Sequence, residues 1–295
     1  MILANKGYVF ITGATGGIGS AIVKKLTELG YTVLAGVRSK EQGKRLKKEI
    51  SPNIVPIEMD ITVPSSVETA SLEVGKFLGN NGIDGLINNA GCIIQGPLEL
   101  LSLDEIKYQF DVNVFGQIAV TQALLPFLRK NSGRVINIGA VTGKTAMPFI
   151  GALSASKHAM EALTDALRVE LKPWNIHVTM IQPAAIDTSI FEKANATSDR
   201  SLQQVPSEKL ALYESALAAY HSTIAKQPVS PTDVVVKAVT ESLSAKTPKT
   251  RYAVGRGARL VVTISHLPDR LRDRLLMSSL GLTKVSNPKQ AHDFN

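Results

Sequence analysis

Cysteine is almost absent. Cys92 stands alone in 295 residues, so no disulfide can form within the chain and a disulfide-stapled secreted scaffold is excluded. A reducing, cytoplasmic setting is the expectation. The five histidines show no metal-ligand spacing, and with one cysteine beside them no metal site is expected. Aromatic residues make up only 5% of the chain, with a single tryptophan. The net charge of +8, from 33 Lys and Arg against 25 Asp and Glu, therefore lacks the stacking platform that would turn it into a nucleic-acid surface. Much of the excess lies in residues 40–48 and 251–274, and is assigned to solvated helix faces and to holding an anionic ligand. No run reaches the ~18–20 apolar residues that a membrane span needs. The residues before Tyr8 are too short and too polar for a secretion signal. No tyrosine occurs between Tyr108 and Tyr213, a gap that matters below.

What is present is a large apolar fraction, 44%, enough for one α/β domain spanning 1–295. Tyr8–Ile11 is short, apolar and β-rich, and predicts a buried strand. Residues 20–29 place Ile22, Val23, Leu26 and Leu29 on one helical face, and Gly30 supplies a stop. Between them, Gly13, Thr15, Gly16, Gly17, Ile18 and Gly19 form a turn whose backbone N–H groups can approach a ligand that a Cβ would exclude. The positive end of the helix then faces a phosphate. Strand, glycine turn and helix in this order predict a dinucleotide site.

Strands are predicted at 32–37, 54–59, 83–88, 134–138, 176–181 and 252–254. Helices are predicted at 39–50 and 64–78, from the capping box at Ser102–Glu105, in a longer helix that follows to about Lys130, at 154–171 and at 232–243. This alternation predicts a doubly wound, mostly parallel sheet, with ligands at the carboxyl ends of its strands. The rhythm breaks after Pro183. Residues 184–230 are expected to form a helical substrate lid, with Leu210, Tyr213, Leu217, Tyr220 and Ile224 on one side, and 256–295 a C-terminal helical extension.

These residues resemble the short-chain dehydrogenase/reductase family, which implies a Rossmann fold over residues 7 to about 255. Thr12-Gly13…Gly17-Ile18-Gly19 is similar to the family's cofactor turn, and Asp60, followed by Ile61, to its adenine-contacting position. Asn88-Asn89-Ala90-Gly91 resembles its strand-four signature. The resemblance implies a catalytic asparagine at Asn113 and a catalytic lysine at Lys157. Residues 183–188 (Pro183, Ile186 and Thr188 among them) resemble the loop over the nicotinamide, with Ala184 where glycine is usual. The tail at 251–255 and 267–271 is similar to the steroid- and retinol-dehydrogenase-like branch, implying apolar small-molecule substrates. The tail's amphipathic helix can pack on the domain or a partner subunit, or make a peripheral membrane contact. Pairing into a homodimer or homotetramer through 115–130 and 154–171 is also implied. Arg38, where an acidic residue would select NAD(H), can pair with a 2′-phosphate and favours NADP(H); NAD(H) is the alternative.

One half of the family's site is missing. Its reaction needs a tyrosine four residues before the lysine, where the ammonium lowers a phenol pKa otherwise near 10, and a serine after strand five. Here the residues are Leu153 and Ala140. Ser154 projects about 100° away on the helix, and Thr142 lies two residues late. Ala140, Leu153, Tyr213 and Leu217 are the expected substrate pocket, and Lys157 becomes a ribose ligand. Three readings stay open. One is a non-redox cyclisation, isomerisation or elimination of an apolar molecule. Another is an oxidoreductase on a lipophilic alcohol or ketone, with a substituted proton donor (Tyr213, Tyr220, or Lys157 through water) or a disabled site. The third is a non-enzymatic sensor or inactive partner subunit.

Overall fold

A computed structural model describes residues 5–285. Seven strands form one parallel sheet: β1 (Tyr8–Ile11), β2 (Thr32–Val37), β3 (Ile54–Glu58), β4 (Gly85–Asn88), β5 (Arg134–Ile138), β6 (His177–Pro183) and β7 (Arg251–Val254). Their order is β3-β2-β1-β4-β5-β6-β7, so the winding reverses between β1 and β4. In sheets of this kind the ligand crevice lies above the strand ends at such a reversal.

Alternate residues of each strand face opposite sides. Val9 and Ile11 join one core with Ile22, Val23 and Leu26 of α1 (Gly17–Glu28), Leu46 of α2 (Lys40–Glu49) and Val235 and Val239 of α10 (Asp233–Ser244). Phe10 joins the other, with Val67 and Val74 of α3 (Pro64–Leu78) and Val120, Leu124 and Leu128 of α5 (Gly116–Asn131). Both faces of the sheet are thus covered, as a parallel sheet requires.

The two helices expected between Ser102 and about Lys130 are present, and the first is short. Its start is the capping box, with Ser102 and Glu105 bonded reciprocally at the head of α4 (Leu103–Phe110). A π turn at Asp111–Phe115 then separates α4 from α5 and carries Asn113. The helix α6 (Gly151–Glu170) begins three residues earlier than the pattern predicts. Residues 184–230 hold α7 (Ile190–Leu202), α8 (Ser207–Ala211) and α9 (Glu214–Ile224), so the one-sided stripe breaks at Leu212–Tyr213, and of its residues only Leu217 and Tyr220 are buried. The extension forms α11 (Ala258–Ile264) and α12 (Asp269–Ser279); its last ten residues, 286–295, lie outside the described part.

Candidate active site

The glycine turn follows β1 directly. Gly13 has φ 63°, a left-handed conformation that favours glycine. A Cβ on Gly19 would fall 2.1 Å from the Gly13 carbonyl, and one on Gly17 would lie 2.6 Å from Thr188 Cγ2. The loop after β6 therefore touches the turn after β1 through Thr188. Thr15, Gly16 and Gly17 face solvent, while Ile18 packs against the core.

Thr12 and Asn89, each named above only as part of a motif, hold this turn. The Thr12 hydroxyl accepts from the Asn89 and Ala90 N–H groups, both at 2.9 Å. Asn89 Nδ2 donates to the Thr12 and Gly13 carbonyls, both at 3.0 Å. Asn88, in the same motif, turns its side chain into the core, where Nδ2 donates to Thr121 Oγ1 and Asn137 Oδ1, both at 2.8 Å. Its amide nitrogen joins β4 to β5 and α5, while its Oδ1 is buried without a partner among the described residues. Strand alternation was the available signal: one of two adjacent asparagines faces the helices. Ala90 is braced by Gln117, whose Nε2 donates to its carbonyl at 2.6 Å.

Beyond the ends of β2 and β3, Arg38 is exposed and forms no ion pair among the described residues. Asp60 accepts from the Thr62 hydroxyl at 2.7 Å and its N–H at 2.9 Å. Those bonds, helped by the Arg38 charge, hold its carboxyl below the usual value. Ile61 packs beside them, its carbonyl facing Gly116.

At the other end, Lys157 is buried with Nζ donating to the Ile138 carbonyl at 2.8 Å, two residues before Ala140. Burial lowers its pKa to about 8. A Cβ on Gly91 would lie 4.0 Å from Nζ and 3.4 Å from Asn113 Oδ1, so Lys157 and Asn113 converge beneath the exposed Gly91. Asn113 Oδ1 accepts from Cys92 N–H at 2.9 Å, and its Nδ2 donates to the Cys92 carbonyl at 3.1 Å and Ser156 Oγ at 3.2 Å. The π turn gives Asn113 its reach toward β4. Burial pushes the Cys92 thiol up to about 11, which makes it a poor nucleophile.

Leu153 lies one turn before Lys157 on the same face and is 7% exposed. One turn after, the buried Glu161 carboxylate receives Lys144 at 3.0 Å, Arg251 at 2.8 Å and Gln182 at 2.6 Å. This cluster ties the face of α6 to β6, β7 and the turn after β5.

The nearby hydroxyls are mostly committed. Ser154 Oγ donates to the Ile150 carbonyl at 3.0 Å. Thr142 is buried and its hydroxyl has no partner among the described residues. Tyr213 donates to Glu99 Oε2 at 2.7 Å, which raises its pKa, and so points to the rim rather than into the expected pocket. Pro183 ends β6. Ile186 is buried with Val235 in the core, so only its backbone, bridged to Ser230, can face a ligand. Leu217 is buried in α9. Among the described residues, no helix is long and apolar enough to cross a membrane, and no group of three His, Cys, Asp or Glu side chains could hold a metal ion.

The chain belongs to the short-chain dehydrogenase family, whose profile matches residues 7–199. It is 36% identical over 254 residues to a 3-amino-tetrahydro-pyrrolizinone reductase of Xenorhabdus hominickii, covering 85% of this chain and 87% of that one. It is 34% identical over 277 residues to retinol dehydrogenase 16 of Mus musculus, covering 91% and 87%. Among solved structures, a short-chain dehydrogenase from Burkholderia cenocepacia in complex with NADP superposes with a TM-score of 0.72 at 28% identity, covering 94% of this chain and 99% of that one.

Proposed function

We propose that the crevice binds NADP(H) and that its apolar end carries out a non-redox transformation of an apolar small molecule, with ordinary alcohol/ketone redox weak. The cradle fits a dinucleotide. The Gly13–Gly19 turn offers N–H groups without side chains, Arg38 is an unpaired cation where a 2′-phosphate would lie, and Lys157 keeps ammonium hydrogens for ribose hydroxyls. Bound NADP(H) supplies hydride chemistry in this family; in this chain the protein side of that chemistry is what is depleted.

The observation that carries the reading is hydrocarbon at both proton-handling positions. Leu153 and Ala140 stand beside Lys157 and the end of β5, and Ser154 is tied to its own helix. A positioned acid or base is worth about 10²–10⁴ in rate. A drier pocket instead favours holding an apolar reactant in one conformation. Residues 184–230 act as the lid, fastened by Gln95 to Asn195 at 2.5 Å, by Ser201 to Glu105, and by Tyr213 to Glu99. Exposed Phe115 and Val169 support pairing of two copies through α5 and α6, and the exposed leucines and arginines of α11 and α12 support peripheral contact with an anionic lipid surface.

A second reading, a reductase or dehydrogenase of lipophilic carbonyls or alcohols, is favoured by the names of the relatives, among them the NADPH-dependent 3-dehydrocapnine reductase of Ornithobacterium rhinotracheale, 33% identical with 92% of this chain and 97% of that one covered. Incubation with NADPH or NADP⁺ and a panel of steroid, retinoid and polyketide carbonyls and alcohols separates the two. Conversion without net cofactor change supports the first reading; nicotinamide absorbance change at ordinary turnover replaces it with the second. The double reversion Ala140→Ser, Leu153→Tyr is expected to raise NADPH-coupled carbonyl reduction by about 10²–10⁴.

A further inference from the structure

A groove lies at the amino ends of the strands, the full length of β1 and β2 away from the glycine turn. Its volume is about 420 Å³, inside the ~300–1,000 Å³ range of small-molecule sites. Lys6 precedes β1, Tyr31 precedes β2, and the rest of the lining comes from the last turns of α1 and from α10. The floor is hydrocarbon: Leu26 and Leu243 are buried, and Leu29 is 37% exposed. Three exposed lysines, Lys6, Lys25 and Lys237, stand around it.

Helix capping does not account for this charge. A helix ends in unpaired carbonyls whose partial negative charge attracts lysines, but both helix ends that face the groove are already closed. In α1, the carbonyls of Lys25, Leu26 and Thr27 accept from the N–H groups of Leu29, Tyr31 and Gly30 at 3.0–3.1 Å. In α10, the Arg134 guanidinium donates to the Ser242 carbonyl and, at 2.6 Å, to the Ala245 carbonyl. Lys25 belongs to the last turn of α1 and pairs with Glu28 at 3.4 Å. Lys237 lies in the first half of α10 and Lys6 outside any helix, and neither forms an ion pair among the described residues. Lys6 is held over the Tyr31 ring, 5.0 Å from its centroid. The one carboxylate in the lining, Glu241, faces Lys249 at 3.8 Å. The Thr240 and Ser244 hydroxyls donate to carbonyls of α10 itself at 2.9–3.0 Å.

We propose that this groove is a second binding site, for a small organic anion on an aliphatic body: the carboxylate or phosphate ester of a medium-length alkyl chain. The leucine floor takes the chain, and the unpaired ammonium groups of Lys6 and Lys237 take the charge. With its serine and threonine hydroxyls committed, the lining sorts ligands by charge and hydrocarbon and not by directed hydrogen bonds. A neutral sugar finds little there. The site shares no residue with the glycine turn, Lys157 or Leu153, so it stands or falls apart from any reaction in the crevice.

The probes are octanoate, octyl phosphate and octan-1-ol, each titrated into the full chain by calorimetry below micelle-forming concentrations. The wild type should bind an anion about tenfold more tightly than the alcohol, with added salt narrowing the gap; the better of the two anions identifies the head group. Lys6→Gln with Lys237→Gln should remove that preference and leave alcohol binding, melting temperature and NADPH affinity unchanged, since both side chains are exposed. Leu29→Glu, which sets a carboxylate at the edge of the floor, should abolish binding of both anions while the protein melts as before. A wild type that binds neither anion, or binds the alcohol equally well, overturns the proposal. So does anion binding that survives the double lysine variant. A concentration-dependent dimer that the double variant no longer forms would assign the face to a second copy and overturn it too.

Discussion

Lys157 makes one hydrogen bond, to the Ile138 carbonyl, in a pocket where Leu153 gives it nothing polar to act on. Its displaced titration has consequences of definite sign. The folded-state pKa lies near 8 against an ordinary 10.5, so folding disfavours the charged form. The resulting penalty is fully present below about pH 8 and is relieved as pH rises toward the unfolded value. Dinucleotide binding runs the other way under the proposed role, in which the ammonium holds ribose hydroxyls. NADPH affinity should therefore fall as pH climbs from 7 through 9, and Lys157→Arg, charged throughout that range, should give a flat profile by calorimetry. A flat wild-type profile would remove Lys157 from the binding site. Cys92 follows a simpler logic: its thiol is half-buried, and its backbone groups brace Asn113.

The glycine turn and the loop after β6 form a single device at the level of elements, since Gly17 and Thr188 are in contact. Gly17→Val should push the 183–188 loop outward and weaken NADPH binding at least tenfold by fluorescence titration, with little change in melting temperature. Adding Thr188→Gly should return part of the loss, and additive losses would show that the two residues act independently. That strand–turn–helix unit was legible because its signals are local: an apolar run, clustered glycines and a 3.6-residue periodicity. β2, α3 and β5 were equally readable from alternation, a proline at the first helical turn, and short apolar runs. Other features depend on tertiary packing. The π turn at Asp111–Phe115 inserts one residue into a helix without disturbing its composition, so no periodicity marks it. Asn88 and Asn89 are chemically identical, and only the strand's facing decides which one holds the turn. Tyr213 and Tyr220 occupy one stripe in sequence, yet the break between α8 and α9 sends the first to Glu99 and leaves the second unbonded.

The whole molecule carries a net charge of +8, and the proposed function gives it an apolar substrate; its C-terminal helices bear on both. Leu276 and Leu280 bury inward and seat α12 on the body, while Leu271, Leu275 and Met277 remain exposed on it and Leu260 is 68% exposed on α11. Arg256, Arg259, Arg270 and Arg274 stand exposed among them, whereas Arg272 is drawn aside by Asp269 at 2.9 Å. Apolar side chains flanked by arginines suit a surface that offers both hydrocarbon and negative charge, and each basic residue near an anionic leaflet contributes about 1 kcal/mol. A substrate of low water solubility would then be met where it concentrates. Co-sedimentation should show the chain on vesicles containing phosphatidylserine and not on phosphatidylcholine alone, with release by high salt. Leu271→Asp with Leu275→Asp should abolish the binding without altering NADPH affinity, because both side chains are exposed on α12, beyond the sheet and its crevice. Binding that persists in the variant, or that ignores both salt and lipid charge, would show that this face serves contact between protein copies instead.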